Sequence, residues 1–210
     1  MRNLLILIIV LANAINVTAQ GQKGMIELGG QLSYTLSEYE DIYYYNLETY
    51  DYKSQRFVIS PKIGWFVSSS SVLGFGIEFE YIKNERSNSI PDESKKHLFS
   101  FNPYFRNYQK IIDKLFFTTT IDLALGFGQE SNEDYYTTDI FTYSINARPG
   151  ISYFLSDKWA LKTNFGSLFY QRTNKKITEG VEGKQPELKD SDFGFSFSMN
   201  SFSLGVGYYF

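Results

Sequence analysis

The chain has 210 residues, enough for one ordinary domain. A formal net charge of −3 offers no basic footprint for nucleic acid. The absence of cysteine excludes disulfides, thiolate metal sites and an N-terminal lipidated Cys, and a single His argues against a His-based metal centre. Aromatics reach 18%, mostly 17 Tyr and 19 Phe, while the mean hydropathy of −0.26 is unlike that of a helical membrane protein.

The chain opens on Arg2 and an unbroken apolar run, Leu4 to Leu11. Val17-Thr18-Ala19 places short side chains at the −3 and −1 positions of a cleavage site, with Ala12-Asn13-Ala14 as a weaker second site. A run of this length is too short to cross a bilayer core, which takes roughly 20 residues. Residues 1–19 therefore read as a cleaved signal peptide and residues 20–210 as an exported domain.

Beyond residue 24 the hydrophobic pattern has period two, the spacing of strands with two unlike faces. Leu28, Gly30, Leu32, Tyr34 and Leu36 oppose Glu27, Gly29, Gln31, Ser33 and Thr35. Phe57, Ile59, Pro61, Ile63, Trp65 and Val67 oppose Arg56, Ser60, Lys62 and Gly64. Leu73, Phe75, Ile77, Phe79 and Tyr81 oppose Gly74, Gly76, Glu78 and Glu80. Phe99, Phe101, Pro103 and Phe105 oppose Ser100, Asn102, Tyr104 and Arg106. Leu115, Phe117, Thr119, Ile121, Leu123, Leu125 and Phe127 oppose Thr118, Thr120, Asp122, Ala124, Gly126 and Gly128. A sixth run sets Phe141, Tyr143, Ile145, Ala147, Pro149, Ile151 and Tyr153 against Ser144, Asn146, Arg148, Gly150 and Ser152. A seventh sets Trp159, Leu161, Thr163 and Phe165 against Lys162, Asn164 and Gly166. The last sets Phe202, Leu204, Val206, Tyr208 and Phe210 against Ser203, Gly205 and Gly207; upstream, Phe193, Phe195, Phe197 and Met199 carry the opposite parity, which one bulge near Asn200-Ser201 would reconcile.

Eight strands are thus predicted, joined alternately by long polar segments (near 37–54, 84–97, 129–139 and 173–191) and short ones (near 68–71, 109–114 and 155–157). This pattern predicts an all-β fold, an eight-stranded antiparallel up-and-down transmembrane β-barrel, whose closure removes the unpaired edges that lipid penalises. Eleven glycines on the polar face suit walls that crowd inward. Trp65, Tyr108, Tyr153, Trp159 and Phe210 on the turn side, and Tyr34, Tyr81, Phe99, Tyr143 and Phe193 on the loop side, read as aromatic girdles. The prolines at 61, 103 and 149 predict local bulges or strand-end irregularity, since a closed barrel has no free edge to hold them. The alternative fold is a secreted soluble β-sandwich, whose polar faces would be exposed rather than glycine-rich.

The segment from Arg148 through Trp159 to Leu161 resembles the signature hairpin of the small outer-membrane β-barrel domain family of Gram-negative bacteria. Asn102 to Tyr108 is similar to that family's preceding strand, and Leu204 to Phe210 resembles the C-terminal signal read by the barrel assembly machinery, with Tyr208 and Phe210 as its aromatic positions. The resemblance implies architecture, outer-membrane location and that machinery as a biogenesis partner; it implies no activity and no cofactor.

The predicted inward face carries Glu27, Glu78, Glu80 and Asp122 with Lys62, Arg106, Arg148 and Lys162. Four acids and four bases in a narrow lumen should pair, because an unpaired buried charge is expensive. An ion-pair network centred on Arg106, Asp122 and Arg148 is expected to plug it. The segment Glu38 to Lys53 carries Tyr39, Tyr43, Tyr44, Tyr45, Tyr50 and Tyr52 among acids, a composition suited to binding an extracellular partner as well as to packing on neighbouring loops. Outer-membrane lipid and lipopolysaccharide are the expected surroundings. His97, with Ser94 and Ser100 nearby, is the one candidate base for acyl-transfer catalysis, but Phe99 stands where outer-membrane lipid deacylases carry the Ser, and no catalytic role is expected. The reading is a non-enzymatic structural or surface-interaction protein; a narrow solute pore and a lipid-modifying enzyme are the alternatives.

Overall fold

The computed structural model describes residues 21–43, 48–87, 92–132, 136–179, 187–196 and 203–210. The signal-peptide reading, Tyr44, Tyr45 and the expected bulge near Asn200-Ser201 lie outside them. The described chain is almost wholly strand: β1 (Ile26–Tyr43), β2 (Glu48–Phe66), β3 (Ser71–Ser87), β4 (Asp92–Ile112), β5 (Leu115–Asn132), β6 (Tyr136–Phe154), β7 (Trp159–Asn164), β8 (Ser167–Glu179), β9 (Glu187–Ser196) and β10 (Ser203–Tyr209).

Every pairing is antiparallel, and the sheet closes on itself where β1 meets β10. β7 and β8 succeed one another along one wall position, as do β9 and β10, so the ten segments occupy a ring of eight. Reciprocal backbone hydrogen bonds between Ile26 and Phe210, at 2.8 and 3.0 Å, bring the two ends together. This is hereafter the terminal end, and the opposite rim the far end.

Alternation decides which side chains go where. Leu28, Ile59, Phe75, Phe101, Leu123, Phe127, Ile145 and Val206 face outward and are exposed, while Glu27, Ser60, Asn102, Arg106, Thr120 and Asp122 face the lumen and are buried. This is a soluble protein turned inside out, and it is stable where lipid rather than water meets the outer face.

Some sequence expectations need correction. The segments read as long loops are mostly strand: β1 and β2 stay paired up to Tyr43↔Glu48, and β3 and β4 up to Arg86↔Asp92. Strands of 17–21 residues are about twice what a membrane crossing needs, so these hairpins continue the wall beyond the apolar belt. At the terminal end β4 also runs on to Ile112, and Lys114 makes the turn with φ 66°.

The seventh strand breaks rather than ending. Between Gly150↔Asn164 and Ala147↔Leu168, three steps along β6 face four along its partner, a one-residue bulge at Phe165-Gly166. Gly166 has φ 142°, backbone that favours glycine. The bulge lies opposite Pro149, whose carbonyl accepts the Phe165 amide at 3.2 Å. Pro61 and Pro103 behave differently. Their ladders skip two consecutive pairs and keep register, so the irregularity expected at all three prolines becomes a bulge only at the third.

The described seam of the ring lies toward the terminal end. β1 pairs with β10 from Glu27↔Tyr209 to Gly30↔Val206. Among the described residues, no pairing joins β1 beyond Gly30 to β9. Leu32 on β1 is 68% exposed and Phe193 on β9 is 73% exposed.

Candidate functional site

The site is the lumen, built in layers from the terminal end upward. The lowest is apolar. Phe66, Tyr108, Phe116, Phe154 and Tyr209 point inward from β2, β4, β5, β6 and β10 and are all but fully buried. Their rings touch in a closed circuit. Phe66 stacks on Tyr108 with centroids 5.7 Å apart, Tyr108 meets Phe116 at 6.4 Å, and Phe116 meets Phe154 at 5.3 Å. Phe154 then meets Tyr209 at 5.0 Å, and Tyr209 returns to Phe66 at 6.1 Å. Val72 and Ala160 fill the remaining space, so the cross-section is packed like a protein core.

The signal for this floor was the alternation itself. Phe66 follows inward Gly64 by two residues, Tyr108 follows Arg106, Phe154 follows Ser152, Tyr209 follows Gly207, and Phe116 precedes Thr118 by two. Tyr108, read from sequence as a girdle residue, is 1% exposed and lies inside.

The second layer is charged. Glu27, 2% exposed, accepts hydrogen bonds from Arg106 Nη1 at 2.5 Å and from Tyr108 Oη at 2.6 Å, and is ion-paired to Lys162. Arg106 Nε donates to Thr120 Oγ1 at 2.9 Å, and its guanidinium lies 5.1 Å from the Tyr104 ring. The Tyr108 and Tyr209 hydroxyls are 3.1 Å apart, which ties this layer to the floor. Gly64 and Gly74 make room for Tyr104: a Cβ on either would come within 2.6 Å of its Oη or Cζ.

Arg148 pairs with Asp122, which also accepts from Asn146 Nδ2 at 3.0 Å. The expected single network around Arg106, Asp122 and Arg148 is therefore two clusters, with Glu27 as the acid that holds Arg106. Strand stagger decides this partnership, and the sequence alone does not display it. Lys62 has no carboxylate within ion-pairing distance among the described residues.

Above these lies a vestibule of about 510 Å³, lined in part by Arg56, Glu78, Glu80, Lys96 and Gln171. Glu80 binds Arg56 Nε at 2.5 Å and has Lys96 Nζ at 3.7 Å. Higher still, Lys175 and Glu130 pair at 3.0 Å. Arg56 and Lys96 were absent from the predicted charged set although their parity points inward.

At the far rim Tyr39 and Tyr52 stack, with centroids 5.1 Å apart and planes 8° from parallel, and Arg86 lies 5.3 Å from the Tyr52 ring. Both tyrosines share the lumen-side face with Arg86. Tyr43 and Tyr50 sit on the paired strands just beyond them. On the outward face of the same rim, Lys83 pairs with Glu85 at 2.5 Å and with Glu93 at 2.9 Å, and Lys95 pairs with Glu93 at 2.6 Å. Hydrogen bonds from Lys95 and Lys83 hold the Glu93 carboxyl below the usual carboxylate range, and those to Glu85 and Glu93 hold the Lys83 ammonium above the usual lysine range. His97 is exposed on the outward face, while Ser94 and Ser100 take the opposite, lumen-side parity. No three metal-ligating side chains cluster among the described residues.

At the terminal end Tyr208 packs outside on Trp159 at 4.9 Å and on Phe210 at 5.8 Å. A closed antiparallel ring with an apolar outside and polar inside invites comparison with solved barrels. The outer membrane protein OprG from Pseudomonas aeruginosa matches over 91% of this chain and 99% of its own, with a TM-score of 0.58 and 9% sequence identity. The chain has the fold of a small eight-stranded outer-membrane β-barrel. Outer membrane protein AlkL, solved in DMPC bilayers, matches more loosely, at a TM-score of 0.45 and 16% identity over 94% of this chain and 95% of its own. No protein-family model and no curated protein matches.

Proposed function

We propose that the protein is an integral outer-membrane barrel, with its terminal end at the periplasm, that presents a surface at its far rim and conducts nothing steadily through its lumen. The observation that supports this reading is the two-layer plug. A ring of five packed aromatics lies beneath a buried Glu27–Arg106–Lys162 cluster, while the vestibule of about 510 Å³ lies toward the other end. An interior of eight-strand width leaves no aqueous path once such side chains fill it.

The role is structural or surface-interacting, carried by the rim with its stacked Tyr39 and Tyr52 and its outward Lys83, Glu85, Glu93 and Lys95. Lipopolysaccharide surrounds the apolar belt, and the rim is where an extracellular partner would dock. No catalytic role is assigned, since His97 and its neighbouring serines belong to opposite faces of β4.

The test is conductance of the refolded, detergent-purified chain in planar bilayers. Refolding is verified first by faster migration of the unboiled protein on SDS gels. The expected result is a silent membrane; steady open-channel steps from verified barrel would overturn the plug and return the narrow pore.

A further inference from the structure

The layer above the aromatic floor holds Lys62, Arg106, Arg148 and Lys162 but only two carboxylates, Glu27 and Asp122. The next layer up does not supply the deficit, because Glu80 is already engaged by Arg56 and Lys96. Glu78, on β3 diagonal to Lys62, forms no ion pair with it. Glu27 is saturated by Arg106, Lys162 and the Tyr108 hydroxyl, and Asp122 by Arg148 and Asn146.

Lys62 stands in a clearing cut by glycines. Its cross-strand neighbours are Gly29 on β1 and Gly76 on β3, and its own Cγ and Cε lie across Gly76, within 2.8 and 3.4 Å of where a Cβ would be. A cavity of about 50 Å³ lies beside it, bordered by Gly29, Gly205, Glu27, Arg106, Lys162 and Asn164 among others. That volume admits a small ion with a water or two and excludes anything the size of a sugar acid.

We propose that this cavity binds one small monovalent anion of the chloride or nitrate class. Lys62, Arg106 and Lys162 form its positive wall, and the one carboxylate on the cavity, Glu27, is already engaged by the last two. The anion supplies the close partner that Lys62 lacks among the described residues, and the inward-facing Gly29 and Gly205 keep the space clear. The site stands whether or not the lumen conducts.

The experiment is thermal loss of the fast-migrating barrel form in detergent, at fixed ionic strength, in sodium chloride and in sodium gluconate. Chloride is expected to raise the midpoint saturably, on the order of 5 °C at a hundredfold excess over its dissociation constant, and gluconate is expected to leave it unchanged. Lys62→Met should abolish the chloride response while leaving the gluconate midpoint equal or higher. Equal midpoints in the two salts, or a Lys62→Met barrel that responds to chloride like the parent, would overturn the site. Should Lys62→Met fail to form barrel, ³⁵Cl line broadening by the parent protein decides instead. Excess broadening displaced by nitrate supports the site, and its absence removes it.

Discussion

The terminal and far halves of the barrel share the same strands and obey opposite economies. In the terminal half the wall is closed by β1 and β10, and the lumen is filled by interlocked rings and buried ion pairs. In the far half the hairpins run on as paired ribbons, the lumen holds a vestibule, and β1 and β9 face each other without a ladder among the described residues. A ring of hydrogen bonds alone does not make a rigid barrel. The half whose interior is packed is also the half whose edges meet, and in the half with an open interior no ladder joins β1 to β9 among the described residues.

Glu27→Ala should do the most damage. It strands the buried Arg106 and Lys162 without their carboxylate, a loss of about 3–5 kcal/mol for breaking a buried pair. Urea unfolding in vesicles would measure it against Glu130→Ala in the far half, expected to cost under about 1 kcal/mol as a half-exposed pair. Equal losses would erase the distinction.

Phe116→Ala comes next, at about 3 kcal/mol for an aromatic removed from a packed site. It should also turn a silent bilayer into one with intermittent conductance, since the aromatic circuit is broken at the floor.

Amide exchange sharpens the contrast without mutation. Residues 31–40 of β1 should exchange roughly a hundredfold or more faster than residues 116–126 of β5, the kind of gap that separates fraying segments from core ladders. Uniform protection along β1 would mean that its far edge is covered.

The smallest effect belongs to the exposed cluster of Lys83, Glu85, Glu93 and Lys95. Glu93 is held below its ordinary value, so what it contributes is present above the normal carboxylate range and lost as the pH falls through its lowered value. Lys83 is held above its ordinary value, so its share is present below the normal lysine range and lost as the pH rises past the raised value. Lys83→Ala should flatten both limbs of the far-half exchange profile slightly and leave the terminal half untouched.

Much of this architecture was legible in the residues. Period-two alternation marks both faces of every strand, because an eight-strand barrel leaves nowhere else for the side chains to go. The inward charges at Glu27, Lys62, Glu78, Glu80, Arg106, Asp122, Arg148 and Lys162 follow from it directly. The aromatic floor was hidden because Phe and Tyr near a strand end serve equally as girdle or plug, and Tyr108 shows how a composition argument can overrule a parity argument that was correct. The pairing of Glu27 with Arg106 was hidden for another reason: those residues lie on β1 and β4, and only the tilt and stagger of the closed ring bring them together.

The one-residue bulge at Phe165-Gly166 has an evolutionary consequence. Beyond it Leu168 and Tyr170 face out and Phe169 and Gln171 face in, and across the hairpin Phe193 and Phe195 on β9 follow an odd-numbered outward parity where β10 follows an even one. Both arms of the final hairpin thus change parity, between Asn164 and Ser167 in one and between Ser196 and Ser203 in the other. A single-codon deletion at Gly166 would turn the lipid-facing side of β8 toward the lumen while leaving β9 as it was. Length changes in this hairpin should therefore survive in descendants of this sequence only as matched pairs, one in each arm.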